Sequence, residues 1–233
     1  MLNIYRKAKS LAGRERRKIK LRKIYRQFKE FTMIPSGTYV DNLILAERVS
    51  RLPGCVVECG VWRGGMIAGM ATLLGPNRSY FLFDSFEGLP PAKAIDGESA
   101  LSWQTAKNSP GYYDNCTAPE DFARRAMTLA RAISFQLIKG WFNETVPTFR
   151  PPETIALLRL DGDWYDSTMV CLESLFDRVT PGGLIVLDDY HTWDGCSRAL
   201  HDFLSRKSAV ERIQSFNNIC FMEKRRVTQT TNV

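Results

Sequence analysis

The sequence predicts an α/β fold in which helices cover both faces of a mostly parallel central sheet. Short apolar, β-branched or aromatic runs alternate with amphipathic segments along the 233 residues, and this alternation is typical of such a sheet. The composition, 44% apolar and 11% aromatic, is sufficient for a hydrophobic core. These observations predict one globular domain with a modest appendage.

The predicted elements alternate between strand and helix. Predicted strands cover residues 55–61, 79–85, 133–140, 155–162 and 183–190. Predicted helices cover residues 64–75, 119–131, 167–179 and 195–206. Asp166 or Ser167 is expected to cap the third helix, and the Pro-Gly-rich residues 180–183 are expected to end it. Two short strands around Asn217 and Asn218 are then expected to complete the sheet with a C-terminal antiparallel strand.

The basic charge of the chain is concentrated at its N-terminus. Residues 1–30 hold 12 Lys or Arg against 2 Glu, so the rest of the chain is mildly acidic although the whole carries +7. We predict a basic helical extension over residues 1–35 and the main domain over 36–233. Within the extension, a helix could place much of its apolar content on one side, namely Ile19, Tyr25, Phe28 and Phe31. Such a helix could pack on the body or a partner subunit, lie on an anionic membrane surface, or bind a polynucleotide, and we favour the first.

Cysteine usage and the absence of long apolar segments predict a soluble, cytoplasmic protein. The six cysteines form no CxxC pair, and with only two histidines the chain has no ligand spacing typical of zinc. The N-terminal segment has no apolar stretch typical of a signal peptide, and nothing later approaches the length of a membrane span.

Residues 88–118 have no clear periodicity and follow the second predicted strand. In an open α/β sheet, ligands bind beyond the carboxyl ends of the strands, so an insertion here is expected to be a lid or substrate loop. Tyr112 and Tyr113 in this loop could supply an apolar wall and hydroxyls for a sugar.

A glycine-rich turn links the first strand to the first helix. Glu58, Gly60 and Gly64 form an E-x-G-x-x-x-G pattern that lacks the close glycines of a dinucleotide fingerprint, which disfavours an NAD(P)-linked oxidoreductase. Asp84 ends the next strand, where a carboxylate can bind ribose hydroxyls. A ligand with a cationic amino-acid end and a ribose suits these groups, and S-adenosylmethionine is one. The expected cofactor-binding residues are Glu58, Gly60, Trp62, Gly64, Asp84, Ser85, Gly140, Trp141 and Phe142.

Carboxylates follow two further strands at their carboxyl ends. Asp161, Asp188 and Asp189 are expected to converge at one edge of the cleft, and with no Lys or Arg immediately beside them they would repel unless a cation lies among them. An all-oxygen ligand set favours Mg²⁺ over zinc. Asp163, two residues beyond a predicted ligand, is the candidate general base for a hydroxyl nucleophile, and His191 is its competitor.

Five segments together resemble the macrocin and mycinamicin O-methyltransferase family. They are "ECGVWRGG", "FDSFEGLP", "KGWFNETVP", "LRLDGDWYDST" and "GGLIVLDDY", in the family's order within residues 36–206. The resemblance implies a single Rossmann-like class I methyltransferase domain that uses S-adenosylmethionine and Mg²⁺ to methylate a sugar hydroxyl. It also implies metal ligation by Asp161, Asp188 and Asp189, a base at Asp163, and a homodimer or higher homo-oligomer.

The acceptor is expected to be a small molecule or a glycan. One alternative is a metal-dependent methyltransferase of a catechol or another phenol, which uses similar carboxylate chemistry. A nucleic-acid-binding protein is disfavoured, because the acidic body lacks an aromatic and basic strand platform, and no nucleic-acid partner is expected. Peripheral membrane contact through the basic N-terminus stays open.

Overall fold

A computed structural model describes residues 2–225, and for residues 2–12 and 14 it describes the backbone alone. A seven-stranded, mostly parallel sheet lies at its centre, in the order β3-β2-β1-β4-β5-β7-β6. The strands are β1 Cys55–Cys59, β2 Ser79–Asp84, β3 Ser134–Lys139, β4 Ile155–Leu160, β5 Val179–Leu187, β6 Gln214–Phe216 and β7 Ile219–Glu223. Only β7 pairs antiparallel with both of its neighbours, so the predicted fold class, with its C-terminal antiparallel strand, is confirmed.

Eight α-helices accompany the sheet in the described part of the chain. They are α1 Leu2–Phe28, α2 Ser36–Ala46, α3 Gly65–Leu74, α4 Glu98–Thr105, α5 Glu120–Leu129, α6 Phe142–Thr145, α7 Tyr165–Leu175 and α8 Asp194–Lys207. Four of these match the predicted helices to within a few residues.

The sheet separates two hydrophobic cores. Successive side chains of a strand point to opposite faces, so Val56 of β1 joins one core while Val57 joins the other. Helices α1, α2, α3 and α5 supply the first core, and α7 and α8 supply the second. The central strands β1, β2 and β4 are therefore buried on both faces, which explains their nearly continuous apolar sequences, whereas the edge strand β3 has no fully buried residue.

The C-terminal half of α1 packs on the body of the protein. Leu21, Ile24 and Phe28 are buried in the same core as Tyr39 of α2. The prediction that Ile19 belongs to the apolar face of this helix is wrong, because its side chain is 52% exposed. The buried side chains Leu21, Ile24 and Phe28 follow the i, i+3, i+7 spacing of a helix face that does not include Ile19. This packing agrees with the first of the three interpretations of the basic extension.

Residues 88–118 contain regular structure that the sequence did not indicate. Helix α4 lies within them, and Tyr113–Cys116 form a short turn in which all four residues have positive φ, between 48° and 61°. Helix α4 is therefore absent from the helices that the sequence predicted. Non-glycine residues rarely adopt such φ values in succession.

Two predicted boundaries are also wrong in detail. Trp164 occupies the N-cap of α7 and no side chain caps the helix, so Asp166 lies in the first turn and forms an ion pair with Lys93 instead. Residues 180–183 do not separate α7 from the next strand, because β5 begins at Val179 and includes them. Within residues 2–225, no helix is both long enough and apolar enough to cross a membrane.

The packing of α1 leads to a prediction about stability. Phe28→Ala should lower the free energy of unfolding by about 3–5 kcal/mol, because it leaves a cavity where a fully buried ring lies in the shared core. Ile19→Ala, on the exposed side of the same helix, should change it by less than about 0.5 kcal/mol. Urea denaturation of both variants measures the difference. Equal, small effects would mean that α1 does not pack on the body in solution.

Candidate active site

A cleft of about 970 Å³ lies at the carboxyl ends of the parallel strands. Its wall includes residues that directly follow β1, β2, β4 and β5. Ligands of open α/β sheets bind at this edge, and the volume is sufficient for a nucleoside-sized ligand together with a second small molecule.

The turn after β1 brings backbone to the floor of the cleft. Gly60 has φ +90°, and a Cβ on it would overlap the carbonyl oxygen of Asp161. Gly64 has φ +77°, and a Cβ on it would lie 2.8 Å from Cα of Ala123. Both positions therefore require glycine for close backbone contact as well as for their φ values.

Asp84 is held by the same turn. Its Oδ2 accepts hydrogen bonds from the backbone N–H groups of Val61 and Trp62 at 2.9 and 2.8 Å, and its Oδ1 accepts one from Phe86 at 2.7 Å. Burial raises the pKa of this carboxyl, and the three N–H donors oppose the rise. The carboxylate is thus fixed at the cleft wall, and Oδ1, which accepts only one of the three bonds, keeps a lone pair for a further donor.

The structure brings most of the predicted cofactor residues to the cleft, but not all of them. The cleft wall includes Gly60, Trp62, Asp84, Ser85, Trp141 and Phe142. Gly64 and Gly140 support the turns behind the wall without lining it.

Glu58 differs most from its predicted role. It is 1% exposed and does not line the cleft, and its Oε1 accepts a hydrogen bond of 2.6 Å from Nη1 of Arg159. Burial raises the pKa of Glu58 to about 7, against the opposing charge of Arg159. Glu58 therefore pairs with a buried cation and is not positioned to bind the cationic end of a ligand in the cleft.

Arg159, on β4, is the cation among the converging carboxylates. Its Nη1 also donates to Oδ2 of Asp161 at 2.7 Å, and its Nη2 lies 2.6 Å from Oδ1 of Asp188. The expectation that no basic residue stands beside these aspartates is therefore wrong. The side chain of Arg159 is fully buried, so its charge is screened little by water.

Asp161, Asp188 and Asp189 nevertheless form a candidate divalent-metal site. One carboxylate oxygen from each lies within 4.8 Å of the others. The side chains of Asp161 and Asp188 are 27% and 18% exposed, so the cluster is accessible from the cleft. Arg159 neutralises one negative charge of several, which leaves an all-oxygen donor set with an excess of negative charge, as Mg²⁺ requires.

Asp163 lies beside this cluster. Its backbone N–H donates to Oδ2 of Asp189 at 3.0 Å, and its Oδ1 accepts a 2.9 Å hydrogen bond from the indole N–H of Trp193. Its backbone has φ +58°, a conformation that aspartate tolerates better than most residues. Burial and then the charge of Asp161 raise the pKa of Asp163 to about 8. A carboxyl with this pKa can take and release a proton near neutral pH.

His191 lies outside the cleft. It is exposed, does not line the cleft wall, and its Nε2 lies 2.9 Å from Oγ of Ser215. This position favours Asp163 over His191 as the candidate base.

Aromatic side chains connect residues 88–118 to the loops that carry the carboxylates. Trp103 of α4 packs edge-on against Trp164 and Trp193, with ring centroids 6.2 and 6.0 Å apart. Buried Asp96 accepts a 2.7 Å hydrogen bond from the backbone N–H of Tyr165, at the start of α7. The indole N–H of Trp164 donates to the carbonyl oxygen of Pro90. The segment thus packs against these loops and forms one wall of the cleft.

Tyr112 and Tyr113 do not form the predicted sugar-binding wall. Tyr112 packs against Trp103 with ring centroids 5.3 Å apart, and Tyr113 is 52% exposed. Neither lines the cleft. Cys116, which follows them, does line it, and burial raises the pKa of its thiol.

The sequence reasoning missed Arg159, Asn42 and Trp193. Asn42 is buried, lies 3.5 Å from Oδ1 of Asp188 through its Nδ2, and accepts from Arg159 at 3.4 Å. The sequence could have indicated the role of Arg159, because Glu58 and Arg159 are the single charged residues of two otherwise apolar strands. They are register partners in the β1–β4 pair, and oppositely charged neighbours of this kind can form a buried ion pair.

Comparisons with known proteins agree with this architecture. The profile of the Macrocin-O-methyltransferase (TylF) family matches residues 31–225. The chain is 34% identical over 189 residues to the 8-demethyl-8-(2,3-dimethoxy-alpha-L-rhamnosyl)-tetracenomycin-C 4'-O-methyltransferase of Streptomyces olivaceus, which covers 77% of this chain and 67% of that protein. It is 32% identical over 170 residues to the mycinamicin III 3''-O-methyltransferase of Micromonospora griseorubida, which covers 70% of this chain and 65% of that protein. The chain thus spans about two thirds of the length of these relatives.

A solved structure shares the fold. The O-methyltransferase NovP superimposes with a TM-score of 0.70 and is 27% identical, with 84% of this chain and 83% of that chain covered.

The buried ion pairs of Arg159 predict a large effect of its removal. Arg159→Met should lower the free energy of unfolding by about 3–5 kcal/mol, because it leaves buried carboxylates without a counter-charge. Adding Glu58→Gln should restore part of this loss, since one unpaired acid is then removed. Arg124→Met, in the exposed pair with Glu120, should cost less than about 1 kcal/mol. Denaturation measurements on the three variants test this, and a loss at Arg159 no greater than at Arg124 would contradict it.

Proposed function

The chain belongs to the macrocin O-methyltransferase (TylF) family, and we propose that it transfers the methyl group of S-adenosylmethionine to a hydroxyl of a sugar or a glycosylated natural product, with Mg²⁺ bound beside the acceptor. The observation that carries the proposal is the group of three carboxylate oxygens within 4.8 Å of one another, with Asp163 adjacent to it. The sugar acceptor is supported by relatives whose names specify a rhamnosyl group and mycinamicin III.

The cleft supports binding of S-adenosylmethionine, which would supply the electrophilic methyl group. Asp84 would accept a hydrogen bond from a ribose hydroxyl through Oδ1, because three backbone N–H groups fix the carboxylate at the cleft wall and leave one acceptor site on that oxygen. Trp141 and Phe142, at the end of β3, would contact the adenine ring with their aromatic faces. Glu58 has no part in this binding, since its charge is taken by Arg159.

Asp161, Asp188 and Asp189 would hold the metal ion. Their fit is supported by the all-oxygen donor set and by the excess of acids over the single guanidinium. When bound there, Mg²⁺ would supply Lewis-acid chemistry and lower the pKa of an acceptor hydroxyl. Arg159 holds Asp161 and Asp188 from the side away from the solvent, so the two carboxylates remain aligned without the ion.

Asp163 would accept the proton of the acceptor hydroxyl. Its Oδ1 is held by Trp193, so Oδ2 is the atom available for the proton. The bond from its N–H to Asp189 keeps the base next to the metal ligands, where the hydroxyl would lie. The base and the ligand Asp161 would therefore come from one short loop after β4, while Asp188 and Asp189 come from the end of β5.

Binding and turnover test the proposal separately. S-adenosylhomocysteine should bind the purified chain in calorimetry, and Asp163→Asn should leave that affinity nearly unchanged, because an amide can still accept from Trp193. Methyl transfer to a panel of glycosides should fall by about 10²–10⁴-fold in Asp163→Asn, the range for loss of a general base. His191→Asn is the control and should retain activity. Folded protein that does not bind S-adenosylhomocysteine would refute the function, whereas undiminished turnover of Asp163→Asn would move the base to another residue.

The acid cluster also predicts a pH dependence of metal binding. The pKa values of Asp161, Glu58 and Asp163 are raised to about 6, 7 and 8, above the unfolded values near 4, so the protonated acids favour the folded state at low pH. This contribution is lost as pH rises through 6 to 8 in metal-free protein. A divalent cation requires the ionised acids, so the rise in melting temperature with Mg²⁺ should be larger at pH 8.5 than at pH 6. Thermal melts measure it, and Asp189→Asn should lose most of the rise. An equal rise in that variant would place the ion elsewhere.

A further inference from the structure

A second, smaller depression adjoins the cleft. It has a volume of about 270 Å³, and its lining includes Lys18 and Arg22 of α1 together with Ser36 and Gly37 at the start of α2. Asn217, in the turn between β6 and β7, lines both the depression and the cleft. The two cavities are therefore neighbours, and a ligand that extends past Asn217 would reach both.

The charge of the depression is opposite to that of the cleft. Lys18 and Arg22 lie one helical turn apart on α1, and both are exposed. In the described part of the chain, neither forms an ion pair. Asp41 is the single carboxylate in the lining. The depression is therefore positively charged, whereas the adjoining cleft holds the acid cluster.

Helix α2 runs from the depression to the acid cluster. Its first residue, Ser36, lines the depression, whereas Asn42 contacts Asp188 of the acid cluster. Six residues of α-helix correspond to about 9 Å. The N–H of Tyr39 donates to the carbonyl of Pro35, the residue that precedes α2. The N–H groups of the earlier residues of α2 make no such helical bond, and they add to the positive potential at this end of the helix.

Residues at the boundary between the cavities are suited to a sugar. Asn217 and Asn218 are exposed, have positive φ, and place two amide side chains in the cleft wall. Thr38 and Ile34 also line the cleft. Amide and hydroxyl groups next to a small apolar surface can hydrogen-bond sugar hydroxyls and contact the ring.

We propose that the acceptor is an anionic sugar, a hexose that carries a phosphate or diphosphate, whose phosphate is bound by Lys18 and Arg22 while its hydroxyl lies at the acid cluster. The inference rests on the proposed function and specifies its substrate class. Ser36 at the depression and Asn42 beside the acid cluster are separated by a rise of about 9 Å along α2, which is on the scale of one hexose ring with its phosphate. A general polyanion surface is disfavoured, because the two cations share a depression that opens beside the cleft.

Matched probes distinguish a phosphorylated acceptor from a neutral one. Rhamnose 1-phosphate and a nucleoside diphosphate rhamnose are compared with methyl rhamnoside in calorimetry, with Mg²⁺ and S-adenosylhomocysteine present. We expect the phosphorylated probes to bind at least about tenfold more tightly, and the difference to shrink as salt is raised. A polyprenyl diphosphate rhamnose in detergent micelles forms a third arm. Tighter binding of this probe would identify a lipid-linked source, and tighter binding of the nucleotide sugar would identify a soluble one.

Two double variants locate the phosphate. Lys18→Ala with Arg22→Ala should abolish the preference for phosphorylated probes. Lys20→Ala with Lys23→Ala removes the same charge from the same helix, outside the depression, and should retain the preference. Affinity for S-adenosylhomocysteine should be unchanged in both variants, which separates this test from that of the proposed function.

Three outcomes would overturn the proposal while cofactor binding is intact. The first is equal affinity for methyl rhamnoside and the phosphorylated probes. The second is equal loss of the preference in both double variants. The third is tighter binding of a single-stranded oligonucleotide, or of phosphatidylglycerol vesicles, than of every rhamnose phosphate. That result would identify α1 as a surface for polyanions.

Discussion

The site depends on the ion pairs that the buried guanidinium of Arg159 forms. This group contacts Glu58 inside the sheet and the carboxylates of Asp161 and Asp188 at the strand ends. A buried charge is tolerated only when it is paired and hydrogen-bonded, so these acids and the arginine fix one another. Strands β1, β4 and β5 are thereby joined by charge as well as by backbone hydrogen bonds, and the carboxylates have defined positions in the protein alone.

In the same arrangement, the carboxylates of the site outnumber the single guanidinium of Arg159. Arg159 faces the sheet side of the cluster, while Asp163 and Asp189 lie together on the cleft side and interact through a backbone N–H. Protons and cations therefore compete for the same carboxylate oxygens. The pKa values of Asp163 and Asp189 are raised because each acid is buried near other acids. The cluster therefore supports both the proposed divalent-ion site and the proposed base beside it.

The sequence predicted those features that follow from local pattern and parallel-sheet geometry. The strands, the edge at which Asp161, Asp188 and Asp189 meet, and the turn at Gly60 all belong to this class. Arg159 and Glu58 were misjudged because their pairing appears only when β1 and β4 are placed in register. Helix α4 was missed because its order depends on contacts made far along the chain, such as that of Trp103 with Trp164 and Trp193. Tertiary contacts of this kind have no signature in a window of a few residues.

The anchoring of residues 88–118 affects the thermodynamics of binding. Asp96 hydrogen-bonds the start of α7, and Trp103 packs against Trp164 and Trp193 in the loops of the acid cluster. The conformational entropy of this wall is lost when the protein folds, so a ligand that enters need not order it again. If residues 88–118 keep these contacts in solution, binding of the acceptor carries no free-energy cost for ordering them and its association rate is not limited by their closure.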